Sequence, residues 1–126
     1  MTEKEILAMR PGPELNIKVA REIMDHKVIH DEHLGFMERL VNPVDKSSIF
    51  GLVQKYSEDR DLAELVVDRM LEKGFEDARY WADFGDGAFT EAEAICKAAL
   101  CAVLKKRESD IADRILREAF GDEYED

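Results

Sequence analysis

The chain has 126 residues, of which 45% are hydrophobic and 37% charged, with 29 acids against 18 bases and a net charge of −11. That length holds one domain around one core, and the composition excludes a disordered or membrane-embedded chain. The negative surface disfavours phosphate backbones, so nucleic-acid binding is not expected, short of carboxylates imitating phosphates toward a basic partner. No apolar run approaches the roughly 20 residues needed to cross a bilayer, and the charged start Met1-Thr2-Glu3-Lys4-Glu5 is unlike a signal peptide. A cytoplasmic location is expected.

Thr2 followed by Glu5 forms a capping box that opens a short first helix with Ile6, Leu7 and Met9. Arg10-Pro11-Gly12-Pro13 breaks it, and Pro13 then suits the first turn of a second helix with Gly12 as its cap. Leu15, Val19 and Ile23 make one face of that helix, whose end the pattern does not define. Residues 25–41 contain no proline and one glycine, Gly35. Residues 42–48 read as a loop, and Ile49 to Tyr56 fit a short strand or a turn of helix equally well.

Ser57 opens a helix carrying Leu62, Leu65, Val66, Met70 and the out-of-phase Val67, stopped by Gly74. Arg79 to Phe84 alternates as a strand would, Tyr80, Ala82 and Phe84 against Arg79, Trp81 and Asp83. After a Gly85-Asp86-Gly87 turn, Thr90 and Glu93 form a second capping box. The helix that follows presents the small-residue stripe Ile95, Ala98, Ala99, Ala102 and Val103, suited to close packing. Ser109 either caps a separate last helix, with Ile111, Ile115, Leu116 and Ala119, or lies within one long helix. Residues 121–126 form an acidic tail that is expected to be disordered.

Helices at both ends with strand-like pieces between predict an α+β class: one helix-rich domain over 1–120 with a small sheet packed between helical layers. One strand alone makes no sheet, so residues 27–56 must complete it.

Three segments resemble one family of small phage proteins, the phage ABA sandwich domain. They are Thr2-Glu3-Lys4-Glu5-Ile6-Leu7-Ala8-Met9 with Gly12-x-Glu14-Leu15 and Val19-Ala20-Arg21-Glu22-Ile23-Met24; Tyr56-Ser57-Glu58-Asp59; and Ala94-Ile95-Cys96-Lys97-Ala98-Ala99-Leu100-Cys101-Ala102-Val103-Leu104. Asp25-His26-Lys27 and Glu64 stand where the family commonly has tryptophans, and residues 109–120 read as an addition. The resemblance implies a sheet between helical layers and a phage or prophage origin. It implies no catalytic activity.

Cys96 and Cys101 lie five apart on a helix, about 140° around its axis, so they do not pair with each other and are expected as buried thiols. His26, His30 and His33 would share one face if helical, where imidazoles can converge on a metal. They also continue the Leu15, Val19 and Ile23 stripe toward Met37 and Leu40, so structural histidines and no metal are expected. Gly85-x-Gly87 lacks the lysine and further glycines of a phosphate loop. No nucleophile has a base beside it in sequence, and neither enzyme activity nor a cofactor is expected.

The best candidate binding residues are Arg79, Tyr80 and Trp81, since arginine and aromatic side chains dominate binding hot spots. The functional expectation is a phage-type accessory module that binds a host or phage protein, with self-association compatible. The alternative is a binder that sequesters a host signalling nucleotide.

Overall fold

The structure, a computed structural model, describes residues 2–42 and 44–120, the side chain of Phe120 excepted. The acidic tail expected at 121–126 lies outside the described residues. Helix α1 runs Glu3–Ala8 and α2 Pro13–Glu22. Strands β1 (Val28–Asp31), β2 (Gly35–Val41) and β3 (Ser48–Leu52) follow, then α3 (Arg60–Glu72), a 3₁₀ helix (Glu76–Asp83) and α4 (Glu91–Phe120). The class is α+β, as the residue pattern predicts.

The helix ends follow from local chemistry. Thr2 Oγ1 accepts the Glu5 amide at 3.2 Å, and Thr90 Oγ1 accepts that of Glu93 at 3.3 Å. Asp59, not Ser57, caps α3 by accepting from Asp61 and Leu62. At its other end Gly74 has φ +95, while the amide of Phe75 reaches Met70 O and that of Gly74 reaches Leu71 O, the paired bonds of a left-handed helix stop. Residues 91–120 form one continuous helix, about 45 Å long by its rise per residue.

Residues 79–84 are not a strand. Residues 79–83 belong to the 3₁₀ helix and Phe84 ends it, the three-residue turn lining up Phe75, Ala78, Trp81 and Phe84 on one side. This 3₁₀ helix packs on α3 and α4, so the whole sheet comes from residues 28–52.

The sheet is an antiparallel meander in the order β1-β2-β3. Its register aligns Val28, Glu38 and Gly51 on one face, and Ile29, Met37 and Leu52 on the other. The layering is one-sided. The face bearing Glu38 turns toward α2 and the segment before α3, while the opposite face leaves Ile29, Val41, Phe50 and Leu52 exposed.

The core gathers Leu15, Val19 and Ile23 of α2, Ala63, Val66 and Met70 of α3, and Ile95, Cys96 and Ala99 of α4 around Tyr56. Val67 is buried despite its phase, while Leu65 is exposed. In the small-residue stripe Ala98 and Ala99 are buried, whereas Ala102 and Val103 are half-buried at its edge. No helix among the described residues is long and apolar enough to cross a membrane.

Candidate interaction surfaces and polar sites

The 3₁₀ helix divides the three expected binding residues. Tyr80 is 75% exposed and its chain neighbour Arg79 is exposed, so both side chains reach solvent. Trp81 is half-buried, its ring 6.3 Å from that of Phe75, and it packs on the core. It anchors the turn that carries Arg79 and Tyr80. A three-residue apolar spacing in the sequence is the signal that separates these roles.

The three histidines do not share a helix face, because this part of the chain is extended. His30 lies on β1 with its ring 4.8 Å from Phe36, and the backbone of His33 donates to Asp31 in the β1–β2 turn. His26 precedes β1, and its Nδ1 sits 2.5 Å from Oε1 of Glu38. Among the described residues no three His, Cys, Asp or Glu side chains are grouped to hold a metal ion.

Glu38 is the site that residue-type reasoning misses, because a lone glutamate in a strand reads as exposed. It is fully buried. Besides His26, its Oε1 accepts the Tyr56 hydroxyl at 2.8 Å, and its Oε2 accepts the Gln54 amide at 2.7 Å. Burial foremost, then this bond to Glu38, pushes the Tyr56 phenol well above its ordinary range. The phenol therefore stays a donor. A buried carboxylate with three donors around it is a satisfied group that fastens the sheet to the helical layer.

Two further polar clusters are saturated in the same way. Asn16 Oδ1 accepts both the amide and the hydroxyl of Ser57, at 2.8 and 2.6 Å, and the Ser57 hydroxyl in turn accepts from the Gly12 amide. Lys97, almost fully buried, donates to Glu93 at 2.6 Å and to the Leu7 carbonyl at 2.9 Å, with its ammonium 4.0 Å from the centre of the Phe89 ring. These bonds tie α2 to the start of α3, and α4 to α1.

Both thiols are buried. Burial, and then the Glu93 carboxylate, pushes the Cys96 thiol up to about 12, and burial likewise raises Cys101, which disfavours the nucleophilic thiolate at both. At Gly85-Asp86-Gly87 all three residues have positive φ, and a Cβ on Gly85 would lie 2.7 Å from the Phe89 ring. That glycine serves the close approach of Phe89.

Three of the arginines are committed to ion pairs: Arg60 with Glu64 and Glu91, Arg69 with Asp25 and Glu72, Arg107 with Glu22. The cleft between α2 and α4, lined by Ile6, Lys18, Leu100, Leu104 and Arg107, holds Glu22 against both of its cations. The segments carrying the phage-domain resemblance supply α1, α2, Tyr56, Ser57 and the buried half of α4, so they speak to the core and assign no ligand. No family model, curated protein or solved structure matches this chain.

Proposed function

We propose that this chain is a phage-type accessory module that binds another protein in the cytoplasm of a bacterial host and turns over no substrate. The observation that carries the reading is the exposed Arg79–Tyr80 pair, held outward on a short 3₁₀ helix by the half-buried Trp81. An aromatic ring and a guanidinium on a fixed turn offer contact area and directed hydrogen bonds at low cost in side-chain order. The hydrogen-bonded Ser57 hydroxyl and the buried Cys96 thiol, its pKa raised by burial, favour binding over covalent chemistry.

The test is affinity capture from a bacterial host lysate with the full chain and with Arg79→Ala and Tyr80→Ala, each first checked for an unchanged circular dichroism spectrum. A partner that binds wild type and is weakened about tenfold or more by Tyr80→Ala supports the reading. Equal capture by all three chains sinks this surface. A nucleotide released intact on denaturation would replace the protein partner with a sequestered small molecule, and its conversion by the chain would defeat the claim of no turnover.

A further inference from the structure

Two apolar surfaces of this molecule are left without a covering layer, and each has what the other lacks. The first is the outer face of the sheet, where Ile29, Val41, Phe50 and Leu52 are exposed, Leu52 by 60%. Just before β1, Lys27 continues that register by one step: the amide of Arg39 bonds to Lys27 O, which brings the two exposed cations side by side at the edge of this face. Like charges directly opposite on a sheet repel, and among the described residues neither cation has an ion-pair partner. In a chain with 29 acids against 18 bases, this apolar face carries Lys27 and Arg39 at one end and the single acid Asp31, capping the β1–β2 turn, at the other.

The second is the distal half of α4. Its last ion pair to the body is Arg107 with Glu22, and beyond it every described residue is exposed except the half-buried Leu116. The roughly 13 residues that follow reach about 20 Å from the body. Leu104, Ile111, Ile115 and Ala119 fall on one side at helical spacing, with Ile111 and Ile115 both more than half exposed. Glu108, four residues after Leu104 and three before Ile111, lies on the stripe itself and Glu118 lies at its edge, whereas Arg117 turns away from it. Neither glutamate has an ion-pair partner among the described residues.

We propose that the α4 arm of a second copy lies across the outer sheet face, and that the exchange is reciprocal, closing a two-fold dimer. The arm provides the apolar ridge and the acids; the sheet provides the apolar floor and the unpaired cations. Charge decides against pairing arm with arm. An antiparallel seam that sets Ile111 against Ile115 also sets Glu108 against Glu118. A sheet-to-sheet contact would bring two Lys27–Arg39 pairs together. Only arm on sheet brings opposite charges to both surfaces. The inference does not rest on Arg79 or Tyr80.

The experiment uses the full chain with single cysteines, Leu52→Cys on one tagged protomer and Ile115→Cys on another, the native thiols being buried. Sedimentation of wild type is expected to give twice the 14.4 kDa chain mass. Oxidation of an equal mixture is expected to give the mixed Leu52→Cys to Ile115→Cys disulfide in clear excess over either homodimer. Arg39→Glu is expected to return the wild-type assembly to monomer, and adding Glu108→Lys and Glu118→Lys to it to restore the dimer. A monomeric wild type at about 100 μM, a concentration where even weak symmetric contacts are populated, overturns the proposal. So does a predominant Ile115→Cys or Leu52→Cys homodisulfide, which would put arm on arm or sheet on sheet.

Discussion

The hydroxyl of Tyr56 donates to Oε1 of Glu38 across 2.8 Å, and both side chains are wholly removed from solvent. Removing the phenol oxygen leaves the carboxylate with two of its three donors. Removing the carboxylate strands the Tyr56 hydroxyl, the Gln54 amide and His26 together. Tyr56→Phe is therefore expected to cost about 2 kcal/mol and Glu38→Ala about 3–5 kcal/mol. Urea unfolding of both variants measures this, and losses below about 0.5 kcal/mol in both would show the knot to be dispensable.

Ala99 is fully buried where α4 meets the rest of the core. Adding three carbons there forces neighbours off their rotamers, and Ala99→Leu is expected to destabilise by about 1–3 kcal/mol. Ala102, half-buried one turn on, has room at its edge, so Ala102→Leu is expected to cost less. Thermal melts that rank the two variants the other way would reverse the assigned core face of α4.

Asp25 joins α2 to α3 in an unusual backbone state. Its φ is +57, and its carboxylate meets Arg69 at 2.8 Å and Lys73 at 3.0 Å. Desolvation lifts its pKa, but the hydrogen bonds from Arg69 and Lys73 outweigh that and hold the carboxyl below its ordinary range. A group depressed on folding contributes stability that is present above its unfolded pKa, near 4, and lost as pH falls through the folded value. Asp25→Asn tolerates the left-handed backbone and removes the charge. Its stability is expected to fall less than wild type's between pH 5 and pH 2. Parallel curves for the two proteins over that range would disprove the contribution.

Much of the helical frame was legible because it rests on local chemistry. Thr2, Thr90, Pro13 and Gly74 mark helix ends by side-chain or backbone geometry that needs no tertiary partner. The sheet was harder to see. Residues 28–41 mix His, Asp, Glu, Met and Arg, and the buried Glu38 breaks the apolar alternation by which a half-buried strand announces itself. Ser57 misleads for a different reason. It has a cap's chemistry, but Asn16, 41 residues away in sequence, takes its hydroxyl and leaves the cap to Asp59.

Of the three candidate surface residues, Arg79 and Tyr80 are exposed, whereas Trp81 is half-buried against the core. Six residues that alternate as a strand were in fact part of a three-residue period starting at Phe75. Short segments satisfy both periods, and only contact with α3 and α4 chooses between them. The open sheet face could not be read at all, since it depends on which layer is missing.

Glu38 also determines how the strands can be threaded. Sliding β2 by one position against its neighbours would swing this carboxylate to the outer face and bring Met37 or Arg39 inward. The slipped hairpin would then offer the Tyr56 hydroxyl and the Gln54 amide no acceptor. A mispaired sheet thus loses two buried hydrogen bonds at once, which no gain in apolar contact on so short a strand replaces. A single charged side chain, costly to bury, makes one alignment of the meander the only one that closes against the helices.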